Sequence, residues 1–232
     1  MKVVGKVLFG SQNYCLDSSD SDFDYKLFMM PEFNDFYTYH KVDKNDLPEG
    51  YDPEHYNVMS VLKFDENLRK GNVNALEMLF SREQELSDDL ASYFDMAQVF
   101  YNRGYLFLVW DTFLATVEGM MKNSLERYGV NRKSASRALY LVNFCSFVAE
   151  HDFVVDKDTW GKDEVFAAAR ELRYNEEKEL PTREELFALF EDMKHRADKY
   201  RHLTNLFPLG DWNRMLELSM QNVVKKSLRS EL

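Results

Sequence analysis

Cysteine is scarce in this chain of 232 residues: Cys15 and Cys145 are the two present, far apart and without metal-ligand spacing. No signal-peptide pattern opens the sequence, so a reduced, cytoplasmic setting is expected. Basic residues are also in deficit. There are 29 Lys and Arg against 40 Asp and Glu, a formal net charge of −11. That balance disfavours broad electrostatic binding to nucleic acid, while leaving room for a local basic pocket. Long hydrophobic runs are missing too. The most apolar stretch, Tyr105 to Val117, contains Asp111 and is too short to cross a bilayer. It reads as a buried helix, and no membrane partner is expected. No P-loop, no Ser-His-Asp order, no zinc signature, no internal repeat and no low-complexity run stands out. What remains is a hydrophobic fraction of 45% with 15% aromatic residues, which argues for a folded protein with a substantial core.

One polar stretch carries chemistry: Gly10-Ser11-Gln12-Asn13-Tyr14-Cys15-Leu16, then Ser21-Asp22-Phe23-Asp24-Tyr25-Lys26. Val3 to Phe9 runs into it as a strand, and Phe23 to Met30 follows as a second. Side chains two apart on a strand share a face, so Asp22 and Asp24 project together while Phe23 turns into the core. Two carboxylates a few ångströms apart repel each other unless a cation lies between them. Hard ions such as Mg²⁺ are held by one or two carboxylates plus substrate phosphates. The Gly10-Ser11 turn offers backbone N–H groups and a hydroxyl to a phosphate.

Gly-Ser, a spacer and Asp-x-Asp resemble the signature of the polymerase β-like nucleotidyltransferases. Asn13, Tyr14, Leu16 and Ser21 extend the likeness to a branch of predicted nucleotidyltransferases. Lys63-Phe64, Lys70-Gly71-Asn72 and Asn74 to Phe80 look like a second stretch of that family, with Val73 where Pro is usual. The resemblance is strong before residue 81 and thin beyond. It implies transfer of a nucleotidyl group from a nucleoside triphosphate, with Mg²⁺ or Mn²⁺, to an acceptor (protein, RNA end or small molecule) that the sequence does not name. Such enzymes use three carboxylates and two divalent ions about 4 Å apart, which clamp the attacking and leaving oxygens. Asp22 and Asp24 match the first two acids and would hold the metal. Gly10 and Ser11 would hold phosphates, with Asn13 and Lys26 in support, and Lys133 and Arg137 reaching the phosphates from a helical region. The third acid falls at or next to His55. Glu54, the nearest acid, is one residue off, which on a strand turns it to the opposite face. A bulge would restore it. Otherwise His55 or Asn57 stands at that place, and the competing class is a degenerate nucleotidyltransferase fold serving as a nucleotide-binding or antitoxin-like interaction module.

The expected architecture is α+β: a small nucleotidyltransferase-like sheet with helices over residues 1–86, then an α-helical bundle over 87–232 packed on it. A short third strand is expected at Tyr56 to Met59, after a long loop, Pro31 to Pro53, holding Tyr37, Tyr39 and His40. Ser60 caps a helix through Leu62 and Leu68 that ends at Gly71. Asn74 and Glu77 look like the capping box of the next helix. Helical spacing then recurs over Ser87 to Tyr101, Leu106 to Tyr128, Lys133 to Glu150, Lys162 to about Glu176, Arg183 to His202 and Trp212 to Leu228. Phe153 to Val155 reads as a short extended piece, and Thr182 to Glu185 as a capping box. The bundle core is expected to enclose Trp110, Phe113, Leu139, Phe144 and Leu189.

Overall fold

A computed structural model describes residues 1–10, 16, 23–32, 35, 41–203 and 211–229. Among them the chain is α+β, a four-stranded mixed sheet with nine α-helices. Contacts divide it into two compact units, Met1–Phe100 with Gly210–Leu232, and Tyr101–Leu209. The division therefore does not fall at residue 86: the helix after it and the last helix both count with the sheet.

In the first unit the strands are β1 (Lys2–Phe9), β2 (Asp24–Met30), β3 (Tyr56–Ser60) and β4 (Gln84–Leu86), ordered β3-β2-β1-β4. β1 pairs antiparallel with β2 and β4, and β2 pairs parallel with β3. The central strand β2 buries Leu27, Phe28, Met29 and Met30 in succession, the continuous apolar run of a strand covered on both faces. β1 shifts register between Val3 and Gly5, where a Cβ on Gly5 would come within 2.7 Å of the Leu86 side chain.

Three helices pack with this sheet through described contacts. α1 (Val61–Arg69) is capped by the Ser60 hydroxyl, which accepts from the Leu62 N–H. The chain leaves it through Gly71 at φ +69°. α2 (Val73–Leu79) starts at Asn72, whose side chain accepts from the Asn74 and Ala75 N–H groups. The expected Asn74–Glu77 capping box is thus corrected: Asn72 takes the cap, and Glu77 lies fully buried near the end of the helix. α3 (Asp88–Tyr101) completes the packing beneath Phe28, whose ring lies 4.8 Å from Phe64 and 5.7 Å from Phe94. Beside this core sits a buried polar link. The Asp65 carboxylate accepts from Arg69 Nε at 2.9 Å and from the Tyr93 hydroxyl at 2.7 Å.

The second unit holds α4 (Tyr105–Leu108), α5 (Trp110–Tyr128), α6 (Arg132–Glu150), α7 (Asp163–Tyr174) and α8 (Arg183–Leu203). α6 packs against α5, α7 and α8, burying Ala135, Ala138, Leu141, Phe144 and Val148. Trp110, Phe113 and Phe144 are fully buried; Leu139 is half-buried, and Leu189 is 43% exposed, so it belongs to the solvent face of α8. The stretch from Tyr105 is two helices rather than one buried helix. Leu108 and Asp111 face water, and Asp111 pairs with Arg201 at 2.7 Å. Phe153 is not extended. Asp152 and Phe153 take φ +54° and +59°, and the Phe153 N–H returns to the Val148 carbonyl at 2.9 Å, closing the end of α6. The Thr182–Glu185 capping box is present, each residue's side chain accepting from the other's backbone N–H. α9 (Trp212–Arg229) belongs to the first unit, where Trp212 stacks on Phe100 at 4.9 Å.

Candidate functional site

Just past the end of β1 lies Gly10, which adopts φ +83°, a left-handed conformation that side chains resist. The carboxylate of Asp24 lies against its Cα. A Cβ at Gly10 would stand 2.8 Å from Asp24 Oδ2 and 3.3 Å from Asp24 Cβ. Asp24 begins β2 directly opposite Phe9 and is half-buried, so the sheet register itself delivers the acid to the glycine turn.

Lys26, two residues on, shares the face of Asp24 and of the buried Phe28. Its Nζ lies 5.4 Å from the centre of the Phe9 ring. Burial of the ammonium lowers its pKa from the ordinary lysine value, and the negative charge of Asp24 pulls the other way. A half-buried ammonium beside one carboxylate is suited to an anion such as a phosphate oxygen.

The parallel ladder runs unbroken from Tyr25–Tyr56 to Met29–Ser60, with Asn57 level with Lys26. His55 and Asp24 are the residues just before its first pair, and the Tyr25 N–H donates to the His55 carbonyl at 2.8 Å. His55 Nδ1 is buried and has no hydrogen-bond partner among the described residues. Glu54 lies in the turn before the strand, exposed, its N–H donating to the Asp52 carboxylate at 2.9 Å. No bulge enters the β2–β3 ladder, so the rescue of Glu54 by a register shift is not seen. Asn57 is exposed on the edge strand. Phe23 is a correction: it is 48% exposed, because the strand starts one residue later, at Asp24.

Asp22, Ser11 and Asn13 lie outside the described residues, as do Tyr37, Tyr39 and His40 of the long loop. Among the described residues, no group of three or more His, Cys, Asp or Glu side chains gathers to hold a metal ion. Two features still fit a cation and its phosphates: the glycine cradle under Asp24, and the unpartnered nitrogen of His55. Lys133 and Arg137 sit one turn apart on α6, in the second unit. Lys133 is exposed; the Arg137 guanidinium lies over the Tyr140 ring at 4.7 Å, which gives it a packing role.

The opposite face of the sheet carries a group that the sequence reading missed. Tyr25 stacks on Tyr56 with ring centres 5.5 Å apart, and Tyr56 meets Tyr51 edge-on at 4.9 Å. The Tyr25 hydroxyl donates to Glu83, and Lys6 pairs with Glu85 at 2.7 Å while lying over the Tyr25 ring. An open cleft of about 300 Å³ is lined here by Lys6, Tyr25 and the 82–85 segment. Within it Lys6 is paired with Glu85, and Glu83 accepts from the Tyr25 hydroxyl. The one available signal was the aromatic alternation around Tyr25, since β4 is too short and polar to announce itself.

No family model, curated protein or solved structure matches the chain. Among the described residues no helix is long and apolar enough to cross a membrane.

Proposed function

We propose that this protein binds a nucleoside triphosphate with Mg²⁺ or Mn²⁺ and transfers its nucleotidyl group to an acceptor. The observation that carries the reading is the seating of the Asp24 carboxylate on Gly10, at a backbone conformation and distance that make any side chain there costly. It supports the resemblance of the Gly-Ser…Asp-x-Asp stretch to polymerase β-like nucleotidyltransferases. Asp24, with Asp22, would hold the cation, and a bound divalent ion supplies charge neutralisation of the triphosphate and activation of the attacking hydroxyl. Gly10 gives the Asp24 carboxylate its seat, and Lys26, two residues along the same strand face, would present a cation to the phosphate oxygens. In the transfer, the acceptor oxygen forms a bond to the α-phosphorus while the bond from that phosphorus to the β-phosphate bridging oxygen breaks. Pyrophosphate leaves, and the acceptor gives up its proton.

A second reading rests on Glu54, which is exposed in a turn and leaves the third acid unfilled. In that reading the protein binds the metal-nucleotide without turning it over. Calorimetry with Mg²⁺ and ATP, followed by mass spectrometry of the protein and of a lysate incubated with α-labelled nucleoside triphosphates, separates the two. Label appearing on an acceptor, lost in Asp24→Asn, supports transfer. Binding without label supports the module, and absence of nucleotide binding overturns both.

A further inference from the structure

Two helices of the second unit finish on exposed tyrosines at the same end. Tyr128 closes α5 at 62% exposure, and Tyr174 closes α7 at 45%. Arg132, the first residue of α6, joins the two ends. Its guanidinium donates to the carbonyls of Leu172, Glu176 and Lys178 at 2.9, 2.6 and 3.0 Å, which ties down the end of α7. The Asn131 side chain just before it donates to the Tyr128 carbonyl at 3.1 Å, which ties down the end of α5. Each tyrosine carries the arginine that precedes it over its ring, Arg127 at 5.3 Å and Arg173 at 5.7 Å. Val130, also exposed, stands in the turn between α5 and α6. Single exposed apolar residues are ordinary, but tyrosine and arginine gathered on a fixed frame are what binding hot spots are made of. Stacking already holds each arginine, so less side-chain freedom is lost on docking.

We propose that this end of the helical unit is a self-association surface on which a second copy of the chain docks about a two-fold axis. Charge decides the occupant. The segment after α7 exposes Glu176, Glu177 and Glu179, and the lysine among them, Lys178, is engaged by Glu171 at 2.6 Å. The surface therefore sets three carboxylates beside two tyrosine-stacked arginines. In a two-fold interface, residue i of one copy meets residue j of the other and j meets i, so a patch with its signs separated complements itself. A nucleic-acid strand would be repelled by the glutamates, and a partner of single sign would meet its own charge over half the surface. The formal charge of −11 opposes approach of two copies from afar, and salt screens that repulsion while sparing close pairs.

Sedimentation equilibrium of the full chain at physiological salt, from micromolar to sub-millimolar concentration, is expected to show monomer–dimer exchange. Arg127→Glu combined with Arg173→Glu should weaken dimerisation at least about tenfold, because like charges then face each other. Glu176→Arg combined with Glu177→Arg should do the same. Mixed in equal amounts, the two variants should recover association as heterodimers, since each supplies the sign the other lacks. Tyr128→Ser leaves the charges alone and should also weaken the dimer, which gives an independent reading should a charge variant misfold. A native chain that stays monomeric overturns the inference. So does a dimer that none of these changes weakens, or a mixture of folded charge variants that fails to recover. A labelled single-stranded oligonucleotide, bound by the native chain and released by Tyr128→Ser in fluorescence anisotropy, would overturn it in favour of a base-stacking platform.

Discussion

Replacing Gly10 with Ala probes the contact on which the proposed site depends. Two costs are expected. At φ +83° an alanine pays the left-handed penalty of about 1–2 kcal/mol. The new Cβ also meets Asp24 Oδ2 at 2.8 Å, closer than any van der Waals contact allows. The carboxylate is the end of a short side chain and escapes by rotating off its rotamer, for roughly 0.5–1.5 kcal/mol. The sum is about 1.5–3.5 kcal/mol, read as a lower midpoint in urea with the slope unchanged, in EDTA so that no metal contributes. Asp24→Ala removes the oxygen and leaves a Cβ at 3.3 Å, a tight contact that a shift of a few tenths of an ångström relieves. In that background Gly10→Ala should cost only the backbone part, a coupling of about 1 kcal/mol between the two sites. Equal costs in both backgrounds, within the roughly 0.3–0.5 kcal/mol expected of independent sites, would refute the close approach. In the native background the same substitution should weaken Mn²⁺–nucleotide binding, since it turns Asp24 away from its seat.

Three further outcomes follow from the structure. Asp65→Ala removes one partner of Arg69, whose guanidinium also donates to Asn213, and one partner of the buried Tyr93 hydroxyl. Breaking a buried pair costs about 3–5 kcal/mol, and because Arg69 keeps some access to water the lower end is expected in urea unfolding. A loss under about 1 kcal/mol would contradict the network. Lys26 has a pKa lowered by burial, so the unfolded chain binds the proton more readily just below the ordinary lysine pKa, and stability should rise with pH there. Lys26→Met should abolish that contribution and stabilise the protein at pH 7, yet weaken nucleotide binding; unaltered binding in calorimetry would remove Lys26 from the site. Asp152→Gly relieves a left-handed residue at the end of α6 and should raise stability by about 0.5–1 kcal/mol, checked by thermal unfolding. Phe153 is no candidate for the same change, because its ring packs on Trp110 at 4.9 Å.

Local pattern alone determined much of this protein. β1 and β2 follow from runs of Val, Leu, Phe and Met, and the long helices from apolar residues recurring at helical spacing, because these periods are set by backbone geometry. Ser60, Gly71 and Thr182 marked helix ends for the same reason: a cap is an interaction among residues within four positions. The glycine turn and Asp24 were legible as residue types in order. Tertiary structure alone decided the rest. β4 is three residues of Gln-Glu-Leu with no alternation to read, and it exists because β1 offers it a partner. Leu189 fits the helical period yet faces water, since the period names a face and not what covers it. The capping box at Asn74 gave way to Asn72 once Glu77 was buried near the end of α2. The 2.8 Å approach of Asp24 to Gly10 and the isolation of His55 Nδ1 depend on β1, β2 and β3 pairing in one register. Registers join residues tens of positions apart, and the free energy that selects them comes from burying Leu27 to Met30 on both faces of the sheet, not from any short stretch of sequence.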